Sequence, residues 1–299
     1  MKIRGVEIED TFAEAFTMRV ARVIVTARNE RWAGHAAEKF TGFATSVIAC
    51  KCEAGIERTI AAAESPDGRP GLSLLLMTMG KDDLPKRLIE RIGQTILTCP
   101  TTACFDGLPG APDRVSVGSN LRFFGDGFQS SKVIGGDRFW RIPVMEGEFL
   151  VQESFGMQKA IGGGNFLIGA ESADAALEAA ELAVEAMNPL PGIIMPFPGG
   201  IVRSGSKVGS RKSKTMIAST NDAYCPTLRA VTTTALPEGV NSVLEIVING
   251  LDAPLIEASM RAGILAACRP GVRFITAGNY GGKLGPHHFP LHKIMAGAA

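Results

Sequence analysis

The two halves of this chain repeat each other, and that repeat limits the available folds more than any single motif does. "RVIVTARNERWAGHAAEKFTGFATSVIACKCEAGI", Arg22–Ile56, reads as strand, helix, strand. "NFLIGAESADAALEAAELAVEAMNPLPGIIMPFPGGI", Asn165–Ile201, reads the same way, with an alanine-rich helix stopped by "NPLPG". Both segments end on Gly-Ile, at Gly55–Ile56 and Gly200–Ile201. Downstream, Gly71–Pro100 and Ser242–Pro270 each give an apolar strand, a short acidic turn and an amphipathic helix. Arg91 with Arg261, Gly93 with Gly263 and Pro100 with Pro270 all lie 170 residues apart. Each half then continues into an expected strand, near Ser116–Phe124 and near Gly271–Ala277.

This order is β-α-β followed by β-α-β, the split βαβ or ferredoxin-like arrangement. The expected fold is therefore α+β: two ferredoxin-like lobes related by internal duplication, with mostly antiparallel sheets flanked by helices. Residues 1–145 form the expected N-terminal lobe and 146–299 the C-terminal one. A chain of 299 residues that is 45% apolar can bury a core in each. Two inserts interrupt the repeats, Ala61–Gly71 and the much longer Val202–Val240. Connections of that second length are uncommon and often functional.

The totals exclude several function classes. A net charge of +1 gives no electrostatic case for nucleic acid. No apolar run approaches the roughly 20 residues of a membrane span. "MKIRGVEIEDTF" is too polar for a signal peptide. The six cysteines, Cys50, Cys52, Cys99, Cys104, Cys225 and Cys268, form no CxxC pair, with "CKC" expected on a strand. They read as free thiols of a reducing cytoplasm. His287, His288 and His292 crowd one segment without a matching carboxylate or thiolate set, so no metal site is expected.

Two glycine-rich stretches invite a phosphate-loop reading and fail it. A P-loop needs G-x-x-x-x-G-K-[ST]. In "FPGGIVRSGSKVGSRKSKTM", Phe197–Met216, Gly205 and Gly209 are too close and Ser210 stands where lysine is required. In "GNYGGKLG", Gly278–Gly285, Leu284 replaces Ser or Thr. Such loops can still hold a carboxylate or phosphate more loosely, or be mobile polar connections.

The sharpest local signal is a charge in a strand that its repeat shows can be wholly apolar. "SVLEIVING" carries Glu245 where the first half, "LSLLLMTM", has Leu75. Alternation puts Glu245 on the face of Val243 and Val247. If that face is covered, desolvation favours the neutral acid, which donates a hydrogen bond to a developing oxyanion. If it is solvent-exposed, or if Glu245 pairs with a lysine or arginine, no such role follows.

At these residues the chain resembles the formylmethanofuran:tetrahydromethanopterin formyltransferases. The resemblance runs from Val6 to His292, through "GVEIEDTFAEAF", "GFATSVIACKCEAGIE", "SPDGRPG", "FFGDGF", "IPVMEGEFLVQESFG", "FPGGIVRSGSKVGS", "ASTNDAYCPT", "EIVINGL" and "AGNYGGKLG". It implies transfer of a formyl group between the amine of a methanofuran-type coenzyme and N5 of tetrahydromethanopterin. It implies a ternary complex, with both coenzymes as substrates and no prosthetic group or metal. The family's buried, protonated glutamate matches Glu245. Since N5 is itself the nucleophile, no Ser-His-Asp set is required.

The matching loops supply the coenzyme-binding candidates: Gly199, Gly200, Ser206, Lys207, Asn221, Asp222 and Tyr224. Arg203, Lys207, Arg211, Lys212 and Lys214 are expected, from charge, to meet the anionic tail of the furan coenzyme. Balanced charge, 31 basic against 30 acidic residues, resembles the bacterial methylotroph branch of formaldehyde oxidation. That branch resembles the D subunit of a formyltransferase/hydrolase complex. It implies a cytoplasmic homo-oligomer, dimer or tetramer, with partner subunits. The competing reading is a non-catalytic furan-coenzyme-binding or scaffold subunit. Loss of Glu245 or of the glycine blocks would favour it, and both are present.

Overall fold

A computed structural model of the chain describes residues 1–205 and 207–297. They form two compact units, Met1–Thr17 with the chain from Ile161 onward, and Met18–Ala160. This border differs from the repeat border at 145/146 because each unit is completed by a strand from beyond it. Val6–Ile8 pairs in parallel with Val272–Thr276 in the first unit. Gly147–Gln152 pairs in parallel with Ala103–Asp106 in the second.

The unit holding Glu245 has the expected ferredoxin-like sheet. The Ile161–Ala170 part of one long strand is flanked by Ser242–Gly250 and Val272–Thr276, both antiparallel. Ile193–Ile194 and Ile201–Val202 add to the outer edge of Ser242–Gly250. Helices Ala173–Met187 and Ala253–Ala267 cover one face. The first buries Ala176, Ala179, Ala180, Ala183 and Met187, the i, i+3, i+4, i+7 stripe of a core-facing helix. Small side chains there let the helices approach closely: a Cβ on Gly263 would lie 2.8 Å from Met187 Sδ.

Both helices start on side-chain caps. Ser172 Oγ accepts from the Ala175 N–H at 3.1 Å, and Asp252 Oδ1 accepts from the Leu255 N–H at 3.0 Å. Replacing Ser172 with alanine is expected to cost about 1 kcal/mol of stability, the usual worth of an N-cap. Chemical denaturation of Ser172→Ala checks this.

The second unit repeats the plan. Met18–Thr26 lies between Gly71–Thr78 and Ala103–Asp106, and Glu53–Ile60 pairs with Gly71–Thr78, all antiparallel. Helices Glu30–Thr41 and Asp83–Arg91 share its core. Leu75, the counterpart of Glu245, is fully buried. Its cross-strand neighbour Arg22 forms a two-pronged bond to buried Glu57, at 2.8 and 2.6 Å. Ser73 Oγ donates to the same carboxylate at 2.5 Å.

Two local expectations are corrected. The strand after the second helix of the first half is Ala103–Asp106, and the expected Ser116–Phe124 instead turns helical over Gly118–Leu121 and Arg122–Gly125. "CKC" is not on a strand: Val47–Cys50 is a short helix capped by Ser46, and Lys51 takes a left-handed conformation that ends it. All six cysteines are free, and three of them are buried. No described helix is long and apolar enough to cross a membrane.

Candidate active site

Glu245 sits in mid-strand, between Leu167 on one neighbouring strand and Val202 on the other. Ile246 and Ile248 point into the helix-covered core with partly buried Leu244. Alternation sends Glu245 to the opposite face, away from the helices. It is nevertheless only 5% exposed. The solvent-exposed alternative is therefore excluded.

The Val202–Val240 insert lines the space beside it. A cavity of about 30 Å³ is bounded by Leu167, Val202, Arg203, Ser204, Gly205, Asn221, Tyr224, Cys225 and the Val243–Glu245 segment. That volume is room for about one water molecule. Gly205 has φ +73°, and a Cβ there would lie 2.8 Å from the Asn221 Cβ. Any larger residue would push the two walls apart. Tyr224 is hydrogen-bonded to Thr276, and burial pushes its phenol above its ordinary value. Cys225 Sγ donates to the Asn221 carbonyl at 3.3 Å and lies 3.2 Å from Thr220 Oγ1, so it is packed into the wall.

The basic stretch folds as a small hairpin. Lys207–Val208 pairs with Ala218–Ser219, and Ser219 Oγ donates to the Gly209 carbonyl at 2.7 Å. Lys207 Nζ donates to Asp222, and Arg211 lies 3.4 Å from the other oxygen of that carboxylate. The bonded Lys207 ammonium holds Asp222 below the usual carboxylate range, burial opposes this, and Arg211 adds to it. Lys207 and Asp222 thus bind each other, while Lys212 and Lys214 stand exposed. Arg229 donates to the carbonyls of Leu236, Pro237 and Val240, which closes the end of the insert.

Of the residues singled out in the sequence, Asn221, Tyr224 and Glu245 line this cavity, while Asp222 is not among its lining residues and binds Lys207 instead. Gly199 and Gly200 lie in the turn entering Ile201–Val202, with positive φ of 62° and 78°. A Cβ on Gly200 would lie 2.9 Å from Val184, so this glycine serves helix packing. Ser206 lies outside the described residues.

Sequence reasoning left open what the Gly278–Gly285 loop holds. Its backbone N–H groups do hold an anion, and that anion is the chain's own Glu14. Oε2 accepts from Tyr280 at 2.7 Å and from Gly282 at 2.9 Å. Oε1 accepts from Leu284 and Gly285, each at 2.6 Å. Burial would raise the Glu14 carboxyl, but the four N–H donors outweigh it and pull it down to about 2. Asn165 pins the loop base: its Oδ1 accepts from the Gly278 N–H at 2.6 Å and its Nδ2 donates to the Gly278 carbonyl at 3.2 Å. Asn165 is two residues from Leu167 and faces the same side as Glu245. Burial pushes the Tyr280 phenol up, the N–H of Val208 opposes this, and the neighbouring Glu245 and Glu14 carboxyls add to the rise.

The three C-terminal histidines are spread among separate partners. His287 bonds Thr17 Oγ1, His288 meets the Gly285 carbonyl, and His292 meets the Ile8 carbonyl and the N-terminal amine.

Residues 1–144 match the family model described as formylmethanofuran-tetrahydromethanopterin formyltransferase, and residues 147–294 match the model of its proximal lobe. The chain is 60% identical to a formylmethanofuran--tetrahydromethanopterin formyltransferase of Methylobacillus flagellatus, covering 99% of this chain and 100% of that one. It is also similar to the solved formyltransferase of Methanosarcina barkeri, with TM-score 0.93 and 52% identity over 98% of this chain and 100% of that one. A further match is a chain of the formyltransferase/hydrolase complex of Methylorubrum extorquens with methylofuran. There the TM-score is 0.95 and the identity 48%, over 99% of this chain and 98% of that one.

Proposed function

The chain belongs to the formylmethanofuran–tetrahydromethanopterin formyltransferase family, and on that premise we propose that Glu245 is its catalytic acid. The reaction moves a formyl group between N5 of tetrahydromethanopterin and the amine of a methanofuran-type coenzyme. Both coenzymes are held together in a ternary complex. The attacking nitrogen adds to the formyl carbon, and the C=O electron pair moves onto oxygen. The tetrahedral intermediate then collapses by expelling the other nitrogen, with one proton lost from the attacking amine and one gained by the leaving amine.

The group that needs stabilising is the transient oxyanion. Glu245 meets that need if it is protonated, because its O–H donates to the developing charge. The observation that carries this reading is its burial: a carboxyl 5% exposed, in mid-strand, on the wall of a cavity. Burial penalises the charged form and so favours the acid. No covalent nucleophile is required, which fits Cys225 being bonded into the wall. The presence of this carboxyl weighs against a scaffold-only subunit.

Asn221, Asp222 and Tyr224 lie beside Glu245 or brace its neighbours, and we assign them to coenzyme contact together with Lys207. The exposed cations Arg211, Lys212 and Lys214 are assigned to the anionic tail of the furan coenzyme. Exchanging these three for glutamine is expected to raise the KM for that coenzyme about tenfold at low salt, from the modest worth of each exposed charge. The salt dependence of KM should weaken as well. Steady-state kinetics at two ionic strengths read both, and unchanged values in the triple variant remove the tail assignment.

The likeness to a chain of a formyltransferase/hydrolase complex supports a place in such a complex with hydrolase subunits, and we assign the chain a homo-oligomeric state, dimer or tetramer, on the family resemblance alone. Free thiols, three of them buried, support a reducing cytoplasmic setting.

A further inference from the structure

Glu245 stands in a row that crosses four strands. Thr276 lies opposite Leu167, Leu167 opposite Glu245, and Glu245 opposite Val202. The strand Val272–Thr276 therefore ends in the row of Glu245. From there the chain leaves the sheet into the Gly278–Gly285 loop, and Asn165 fixes the course it takes.

A β-bulge puts Asn165 in place. The pairing with Ser242–Gly250 steps from Gly162–Asn249 to Gly164–Ile248, so Gly163 is an extra residue on its strand, with φ +95°. One inserted residue reverses the face that every following side chain takes. Phe166 thereby enters the helix-covered core, and Asn165 lies on the face of Glu245. Asn249, on the strand of Glu245, holds the bulge: its Oδ1 accepts from the Gly163 N–H at 3.0 Å.

Asn165 is itself 7% exposed and bonded to backbone. Its Nδ2 donates to the Gly163 carbonyl at 3.0 Å and to the Gly278 carbonyl at 3.2 Å, and its Oδ1 accepts from the Gly278 N–H at 2.6 Å. The amide N–H groups are thus committed to carbonyls and none is offered to a coenzyme. Because this side chain stands on the face that carries Glu245, the loop base it grips lies over that face, beside the row of Glu245. The grip is close: a Cβ on Gly278 would lie 3.1 Å from Asn165 Oδ1.

We propose that Asn165 is a positioning residue for formyl transfer: by gripping Gly278 it seats the loop over the Glu245 face of the sheet and so fixes the carboxyl that meets the oxyanion. This rests on the reading of Glu245 as the catalytic acid. It assigns Asn165 no contact with the formyl carbon.

The test is Asn165→Leu, which nearly keeps the volume and removes all three bonds. Hydrogen exchange at the Gly278 amide, without coenzymes, is expected to speed up about fivefold, the worth of one ordinary hydrogen bond. In steady-state kinetics kcat is expected to fall about tenfold, less than the roughly hundredfold loss that a misplacement of about 1 Å can cause. The KM for each coenzyme should stay within about twofold of wild type. The same substitution is then made in Glu245→Ala, where no acid is left to position, and there the further loss in kcat should be within about twofold. An equal loss in both backgrounds overturns the positioning role, as does an unchanged kcat in the single variant. Unchanged exchange at Gly278 overturns the grip. Asn165→Ser, smaller and shorter, is carried through the same cycle, so that a poorly folding leucine variant does not end the test. The single Glu245→Ala variant keeps the two readings apart: a wild-type kcat there removes the acid and the positioning role with it, while the exchange result stands by itself.

Discussion

Replacing Glu245 with alanine is expected to lower kcat by about 10²–10³, the usual cost of removing one oxyanion donor. Glu245→Gln should lose less, because an amide N–H still donates to the oxyanion. This ordering separates the acid from two other roles. A general base would lose as much with glutamine as with alanine, since neither accepts a proton near neutral pH. A residue that only packs would show its loss in stability and not in kcat. The binding of both coenzymes should change little in either variant, because the hydrogen bond strengthens only as charge develops on the formyl oxygen. Equal kcat values for Glu245→Ala and wild type would remove Glu245 from the mechanism.

The second large effect belongs to Glu14. Its carboxyl is held down to about 2 in the fold against an ordinary value of 4.5. A group whose native value is depressed stabilises the fold above its unfolded value, and that contribution is lost as pH falls through the native one. Glu14 should therefore support the structure fully above pH 4.5 and lose this support progressively toward pH 2. Glu14→Gln offers one acceptor oxygen to four N–H donors and turns its own N–H groups toward some of them. We expect a clearly lower thermal midpoint at pH 7, with the gap to wild type closing as pH is lowered through this window. Thermal melts of both proteins across the range decide it. A gap that stays constant with pH would mean that the carboxylate charge is not what holds the loop.

The repeat made much of this architecture legible before any coordinates. Strong periodicity and matched helix stops placed the helices and all but one of the strands of the two repeats. The one strand misplaced in the first half shows why local pattern can mislead. "VSVGSNLRFF" is apolar enough to suggest a strand, yet Gly118–Leu121 turns helical. The 170-residue offset was not carried to this strand; applied to Val272–Thr276 it gives residues 102–106, where the strand Ala103–Asp106 lies. Long-range register was the better guide than composition.

The site was legible only in part. A charge inside an apolar strand marked Glu245, because its repeat partner Leu75 showed what the position tolerates. Whether that face was covered depended on how the Val202–Val240 insert folds, and no short-range pattern encodes that. Glu14 was invisible for the same reason: its partners at Leu284 and Tyr280 lie 270 and 266 residues away. The glycine loop did advertise an anion, through closely spaced glycines that free backbone N–H groups to converge. Its anion is a side chain of the same molecule, so the failed phosphate motif was informative about geometry and misleading about the ligand.

The most direct test of the central claim mixes the purified protein with formyl-tetrahydromethanopterin and a methanofuran-type acceptor, and follows loss of the formyl-pterin spectrum. The account predicts transfer that requires both coenzymes and proceeds without added nucleotide. Retention of the formyl-pterin spectrum, with the furan coenzyme bound and hydrolase subunits supplied, would contradict it.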